Sequence, residues 1–555
     1  MSSFDYPHYP YRPPRELGES AAERHAVVIA GAGPVGLTAA IDLAQHGIAC
    51  VVLDDNDTVS VGSRAICWAK RTLEIFDRLG VGERMVAKGV TWNVGRVYHR
   101  DRELYQFNLL PEGGHKMPAF INLQQYYVEQ YLIDRAYQFP DLIELRWKHR
   151  VTGVENSAHG VSVSVDTPDG RYRLESDWLI AADGARSTVR ALLGHRFEGH
   201  TFEEKFLIVD VRLHADYPAD RRFWFQPPFD PAQSVLIHRQ PDNVFRIDFQ
   251  LRCDADAEAE RKPERAMQRV RRVVGAQARC EFEWCSVYTF RCARMPRFLD
   301  RRVIFAGDAA HVVSPFGARG GNGGIQDVDN LCWRLASIVR GQAPPGLLEG
   351  YDLERGHGAD ENIRNSTRTT AFMTPKTAAE TQIRDGVLTL AADFAFARGL
   401  VNSGRLSKPC RLIGFPGFAP QDGTVAGAML PGVPCEDAPV VSAQGERGWL
   451  LNHLGGRATA LVFAHSTPAL TRIERSIPEC GIPALKVVAI TAAADCALPE
   501  WALVDREGLV SSRYGGAAGV TYLIRPDQHV LGRWPRWEPL LLRAAWQACL
   551  GSGRS

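Results

Sequence analysis

The stretch His25-Ala-Val-Val-Ile-Ala-Gly-Ala-Gly-Pro-Val-Gly-Leu-Thr-Ala-Ala-Ile-Asp-Leu-Ala-Gln-His-Gly-Ile-Ala-Cys-Val-Val-Leu-Asp54 decides the fold of this 555-residue chain. Ala26 to Ala30 is a short apolar run, the glycines follow at once, and Leu37 to His46 has helical apolar spacing. The pattern predicts strand, tight turn, helix. Gly31 permits the turn, Gly33 lets backbone approach a pyrophosphate, and Gly36 lets helix and strand pack closely. The helix start then offers free N–H groups and a positive dipole end to phosphates. A second strand, Ala49 to Leu53, ends in Asp54, where a carboxylate accepts hydrogen bonds from ribose hydroxyls. Asp55 is the neighbouring alternative, and strand alternation favours Asp54. This unit alone does not separate a nicotinamide site from a flavin site.

Two later segments repeat the pattern of an acid after a buried strand. Trp178 to Ala182 runs into Asp183-Gly184 and a helix starting near Ser187, and Arg302 to Ala306 runs into Gly307-Asp308-Ala-Ala-His311. Strand C-terminal ends line the ligand crevices of open α/β sheets, so each carboxylate is placed for a ribose or ribityl hydroxyl. Ser314 to Gly324 then holds five glycines and leads into a helix marked by Ile325, Val328, Leu331, Leu335 and Ile338. Such a loop creates positive potential from backbone N–H groups, suited to the anionic edge of a reduced flavin.

The three motifs in this order resemble the FAD-dependent aromatic-ring hydroxylases related to para-hydroxybenzoate hydroxylase. The resemblance extends to Arg64-Ala65, to Arg71 through Phe76, to Gln125 with Glu129 and Leu132, and to Asp327, Asn330-Leu331, Trp333-Arg334-Leu335 and Tyr351 with Glu354-Arg355, covering about residues 25–410. It implies FAD held by Gly31, Gly33, Gly36, Asp54, Arg64, Gln125, Asp183, Asp308, Gly320, Gly321 and Asn322. Pro315, Arg319 and Arg246 are the positions it marks for catalysis. Arg64 has an alternative reading as a surface ion-pair partner.

Residues 196–289 read as a β-rich substrate domain, with strands at Phe206–Leu213, Arg222–Gln226, Ser234–His238 and Val244–Leu251 separated by proline turns. In the last, Phe245, Ile247 and Phe249 share one face and Arg246 and Asp248 the other. Arg246 resembles the family's strand arginine over the cofactor; a solvated salt-bridge face is the competing reading. Trp224, Gln226 and His238 are candidate substrate residues, although a lone histidine is more often structural.

The fold expected is α/β: a Rossmann-like FAD-binding domain over 25–195 and 290–370, interleaved with the β domain, then a helical connection at 371–425. Residues 426–555 resemble the C-terminal thioredoxin-like domain of phenol hydroxylase and the 3-(3-hydroxyphenyl)propionate hydroxylases. His465-Ser-Thr-Pro468 occupies the helix start where a redox pair would stand and has no cysteine, so this domain is expected to be structural, with packing in a homodimer as one role. Residues 1–24 are read as a mobile or surface-wrapping tail.

Composition agrees with an ordinary soluble globular protein: 45% hydrophobic and 23% charged residues, with formal net charge +1. That balance gives no electrostatic case for nucleic acid or membrane. The apolar run from Ala26 to Ala44 is interrupted by glycines, Pro34 and Asp42, so it is not a membrane span. The twelve cysteines lack metal-ligand spacing, and a cytoplasmic, reduced, metal-free protein is expected. The resemblance implies that NADPH or NADH reduces FAD, that O2 forms a flavin C4a-hydroperoxide, and that a small phenolic ring is hydroxylated. A halogenase, an epoxidase or a reductase on the same scaffold is the alternative. The halogenase Trp-x-Trp-x-Ile-Pro motif and a hydrophobic anchor are not seen.

Overall fold

The computed structural model describes residues 4–17, 23–214, 218–231, 233–252, 254–401, 408–421, 423–492 and 498–551. The chain is α/β. Its first sheet is built on the quoted stretch: strand Arg24–Ala30, helix Pro34–Gln45 and strand Cys50–Asp54. The order across the sheet is Leu299–Asp300, Val303–Phe305, Gly170–Ala181, Arg24–Ala30, Cys50–Asp54 and Ile143–Trp147, with the pair Arg150–Asn156 and Val161–Thr167 leaving it from Gly170–Ala181. The four strands from Val303–Phe305 to Cys50–Asp54 run parallel to their neighbours. Buried on both faces, they are near-continuous in Val, Ile, Leu and Ala, as parallel sheets require.

Parallel pairing has a direct functional consequence. The C-terminal ends of those four adjacent strands release Gly307-Asp308, Asp183, Gly31 and Asp54 along one edge. Motifs scattered over nearly 280 positions of sequence are therefore neighbours in space.

A second sheet stands over that edge. Its order is His311–Val312, Cys280–Arg294, Glu198–Leu213, Val244–Leu251, Ser234–Arg239, Arg221–Phe225, Val94–His99 and Arg102–Asn108. The predicted strand Val244–Leu251 is found with those bounds. The hairpin at residues 94–108, which the sequence reading kept in the first segment, joins this sheet. One face, carrying Leu207, Val209, Val211, Val235, Ile237, Phe245, Ile247 and Phe249, packs under Ala266 and Val270 of helix Pro263–Val274. Full burial of each such side chain is worth about 1.5–3 kcal/mol, which fixes the register and turns the polar alternates toward the first sheet.

The C-terminal part forms a seven-stranded sheet in the order Arg447–Trp449, Pro439–Ser442, Ala502–Val504, Lys486–Thr491, Thr459–Phe463, Thr521–Ile524 and Val530–Trp534. It docks through buried charge. Arg525 pairs with Glu354 at 2.8 Å and with Asp527, while Arg71 reaches Asp329 at 2.9 Å and Gln528 at 2.7 Å. Much of what reads in sequence as a family signature on the helices Gly320–Val339 and Leu348–Met373 thus serves this junction.

The tail expected over 1–24 lies partly outside the described residues. Its described part wraps the first domain: Phe4 packs on Tyr126 at 4.2 Å, Tyr9 stacks on Trp147 at 4.7 Å, and Glu16 pairs with Arg146. No helix among the described residues is long and apolar enough to cross a membrane.

Candidate active site

The three motifs touch. A Cβ on Gly31, whose φ is +102°, would stand 2.5 Å from the Ala182 carbonyl oxygen and 3.0 Å from Asp183 Cα. A Cβ on Gly36 would meet the Gly31 carbonyl oxygen at 1.9 Å. Val35 in turn lies against Gly307 and Gly324, where a Cβ would meet it at 2.9 and 2.7 Å. Gly33 is different: a Cβ there would meet nothing within 4 Å, so this position faces open space at the start of helix Pro34–Gln45, which has no side-chain cap. Glycine is needed for packing at the first two positions and leaves room at the third.

The acids flank this turn. Asp54 Oδ2 accepts from Ala32 N–H at 2.6 Å and its Oδ1 from Asn56 N–H at 2.9 Å, so it also braces the glycine turn. Asp183 Oδ2 accepts from Val189 N–H at 3.0 Å, while its buried Oδ1 has no hydrogen-bond partner. Asp308 is open to solvent yet surrounded by protein deeply enough for burial to raise its carboxyl above the usual range. Burial also raises Asp183 and Asp54. A carboxylate with spare acceptor capacity, such as Asp183 with its free Oδ1, can accept from hydroxyl donors.

The floor of the cleft is held from behind. Asp327 receives the Gly307 N–H at 3.0 Å, lies 2.6 Å from His311 Nε2 and takes Arg355 Nε at 2.7 Å. Although burial opposes it, His311 and Arg355 pull the Asp327 carboxyl down to about 2. His311 is thus a brace for Gly307-Asp308. Gly320 opens the next helix beside Asp308, its would-be Cβ 3.8 Å from Asp308 Oδ1, and Gly321 lies against Trp68 and Ala65.

Several predicted residues prove to be fixed in other contacts. The Asn322 side chain accepts from Ala69 N–H at 2.9 Å and donates to the Cys67 and Ala318 carbonyls, leaving only backbone for a cofactor edge. Gln125 accepts from Ala65 N–H at 3.1 Å and donates to Ser60 and Glu129, which anchors the loop 60–65. Arg64 at the tip of that loop is exposed and makes no ion pair among the described residues, against the surface-pair reading. Arg319 is buried and donates to Asn362 at 3.3 Å. The exposed Pro315 accepts from Ala318 N–H at 3.0 Å through its carbonyl.

Arg246 faces the first sheet, and at 4% exposure the solvated salt-bridge reading fails. It donates to Asp210 at 3.2 Å, to the Arg64 carbonyl at 3.0 Å and to Ser63 Oγ at 2.5 Å, tying the arginine loop to the roof. His238 is on the same face but buried, its Nδ1 3.9 Å from Cys67 Sγ. Burial, with Arg221 and Arg246 nearby, holds its imidazole well below the ordinary range.

Two expectations are corrected. Trp224 stacks on Tyr98 at 4.8 Å and packs on the cluster under helix Pro263–Val274, the face opposite Arg246. Gln226, at φ +50°, ends the strand, with its side-chain oxygen 3.2 Å from His99 Nε2. Strand alternation brings Phe223 and Arg221 to the open face in their place. Asp248 shares the open face with Arg246, as the alternation in its strand implies, and Arg221 joins them because its strand begins one residue earlier than predicted.

Residues 24–366 match the family described as "FAD binding domain". The chain belongs to that family. FAD is its cofactor, and the residues present fit it: an open Gly33, an unpartnered Asp183 Oδ1 and an accessible Asp308 on one crevice. A flavin-dependent monooxygenase of Mycobacteroides abscessus is 35% identical over 357 residues, covering 59% of this chain and 70% of that one. The 3-(3-hydroxy-phenyl)propionate/3-hydroxycinnamic acid hydroxylase of Mycolicibacterium smegmatis is 29% identical over 368 residues, 65% of this chain and 64% of that one. The solved structure of the flavin-dependent monooxygenase PieE in complex with FAD and substrate superposes with TM-score 0.80 at 22% identity, over 95% of this chain and 99% of that one, and shares its fold. The chain is accordingly an FAD-dependent monooxygenase, as the resemblance implied.

Proposed function

We propose that the protein places one oxygen atom of O2 on the ring of a small phenolic aromatic compound, with NADPH or NADH as reductant. The observation that carries this reading is the delivery of Asp54, Gly31, Asp183 and Asp308 from four adjacent parallel strands to one crevice, beneath a roof sheet with a polar open face. Bound FAD supplies the redox chemistry, accepting electrons from the nicotinamide and activating O2.

The chain supplies the rest. Gly31, Gly33 and Gly36 let the helix start receive the pyrophosphate, and Asp54 takes the ribose hydroxyls. Asp183 and Asp308 accept from the remaining cofactor hydroxyls, and Arg64 reaches the cofactor from its loop. The first turn at Gly320, Gly321 and Asn322 offers backbone N–H groups to the flavin's pyrimidine edge. Arg246 keeps loop 60–65 closed against the roof, which excludes water from the reacting ring. Pro315 and Arg319 shape the floor facing the substrate.

We assign 25–195 with 290–370 to FAD, 196–289 to the substrate and 371–425 to a helical connection. Residues 426–555 are a structural, thioredoxin-like domain. Exposed Ile383, Phe394 and Phe396 offer an apolar surface for a homodimer. Thiols such as Cys50 and Cys435, which burial pushes up to about 12, are inert, and they suit a reducing cytoplasm.

The test is a screen of phenols for substrate-stimulated NAD(P)H oxidation by the yellow, FAD-loaded protein. Stimulation with a hydroxylated product supports the reading; an FAD-loaded protein that no phenol stimulates overturns it.

A further inference from the structure

The open face of the roof sheet carries two cross-strand rows. Ile208, Asp248, Leu236 and Phe223 stand opposite one another in successive strands. Two residues along, Asp210, Arg246 and His238 form the next row, and Arg221, two residues before Phe223, shares its face. The first row is apolar except for Asp248. The second is charged. Rows on one face lie about 6–7 Å apart and strands about 4.8 Å apart, within reach of these side chains.

Most of this polar face is internally spent. Arg246 donates to Asp210, Arg64 and Ser63, and Asp210 also accepts from Gln240 at 3.3 Å. His238 is packed on Cys67. Asp248 is the exception: it is half-buried, its Oδ1 is sealed from solvent, and no side-chain or backbone donor bonds its carboxylate among the described residues. Arg221 is the other: a half-buried guanidinium that lies 5.8 Å from the Trp92 ring and has no ion pair or hydrogen bond among the described residues. The Cys67 carbonyl accepts from Asn322, so this part of the roof stands beside the first turn of helix Gly320–Val339.

We propose that Asp248 accepts the proton of the substrate's phenolic hydroxyl and that the Arg221 guanidinium holds the resulting phenolate. The assignment rests on the phenol-hydroxylation reading above. In the step, the phenol O–H bond breaks, a carboxyl O–H bond forms on Asp248, and the electron pair stays on the ring oxygen. One negative charge moves from Asp248 to the phenolate, so total charge is conserved and no oxidant is consumed. The ring carbons ortho and para to that oxygen become electron-rich, as oxygen transfer to carbon requires. The proton leaves Asp248 to the product oxygen or to solvent when the site opens.

The electrostatics favour this assignment over His238. Burial, reinforced by Asp210 and opposed by Arg246 and Arg221, pushes the Asp248 carboxyl up to about 6. A carboxylate so raised is a stronger base than an ordinary one and is still ionised at neutral pH. The histidine, depressed by burial and by two guanidinium neighbours, is a weak base.

The test uses the FAD-loaded protein and 4-nitrophenol, whose phenolate absorbs where the phenol does not. At about pH 6, near the Asp248 value, wild type is expected to ionise the bound dye beyond its ionisation in buffer. Arg221→Gln with full FAD content should leave the bound dye about tenfold less ionised, one unit in its apparent pKa. Asp248→Asn should ionise the dye at least as far as wild type, because it removes a negative charge from beside the phenolate, so the base itself is read in the rate. For phenol-stimulated NAD(P)H oxidation, Asp248→Asn should lower kcat/KM about 100-fold or more, with the loss shrinking as pH approaches the phenol's own pKa. Trp224→Phe, on the opposite face, should change neither readout. A wild type that leaves the dye's ionisation at its buffer value, or Asp248→Asn that keeps the wild-type kcat/KM below the phenol's own pKa, overturns the proposal. Dye ionised by wild type without any phenol-stimulated oxidation of NAD(P)H supports the phenolate site at Arg221 and overturns the hydroxylase reading instead.

Discussion

Gly31 and Ala182 are seated so closely that one added methyl group would stand 2.5 Å from a carbonyl oxygen. This contact joins the end of the first strand to the end of its parallel neighbour, and with it the first nucleotide motif to the second. Gly31→Ala must also adopt φ +102°, which costs about 1–3 kcal/mol before the clash is counted. We expect Gly31→Ala to lower Tm and to purify without FAD. Gly33→Ala meets no protein atom and should keep the wild-type apoprotein Tm while binding FAD more weakly. Melting curves of the two apoproteins, with FAD titrations, separate the roles; equal Tm losses would contradict them.

On the proposed reading, Asp308 trades stability for binding. Burial raises its carboxyl, so the folded apoprotein keeps that proton to higher pH than the unfolded chain does. The associated stability is full below the unfolded pKa and is lost as pH rises through the folded one. Asp308→Asn removes this loss, so its apoprotein should gain Tm over wild type at neutral pH and lose that gain in acid. FAD binding should weaken. Thermal scans across pH check the first part and fluorescence titration the second.

Asp327 behaves in the opposite sense. Its carboxyl is drawn down to about 2 by His311 and Arg355, so its stabilisation is present above the unfolded value near 4 and is lost as pH falls toward 2. Asp327→Ala leaves Arg355 buried without its partner, a loss of about 3–5 kcal/mol. Denaturant unfolding at neutral pH should show that loss, and it should shrink as pH falls toward 2.

The C-terminal sheet is held by Arg525 between Glu354 and Asp527, all buried. Arg525→Met strands two carboxylates and should cost about 3–5 kcal/mol. Because the pair is out of solvent, the loss measured by denaturant unfolding should change little between low and high salt. A loss that vanishes in high salt would mean the junction is open to water.

The proposed cofactor half of the site was legible in the sequence because its determinants are local. Glycines at fixed offsets and an acid after each strand state the turn, the helix start and the hydroxyl acceptor within a few residues, and parallel pairing then brings Gly31, Asp183 and Asp308 together. The roof was less legible. Alternation in Val244–Leu251 gave the face of Arg246, but the face of Trp224 depends on which residue opens its strand, and a one-residue offset exchanges Trp224 for Phe223 and Arg221. The roles of Asn322 and Gln125 were hidden for another reason: their partners, Cys67, Ala69 and Ser60, lie far off in sequence, and no spacing rule names them. Likewise the helix signature around Asn330, Arg334 and Glu354 reads as part of the flavin domain until Arg525 arrives from the last sheet.

The most direct measurement is the source of the new oxygen. The FAD-loaded protein, NAD(P)H and the phenol that best stimulates oxidation are incubated under isotopically heavy O2, and the product is weighed by mass spectrometry. The account predicts a product carrying one heavy oxygen atom on the ring, formed only when FAD and reductant are both present. A product whose added oxygen comes from water, or reductant consumed with no oxygen on the ring of any phenol tried, would contradict it.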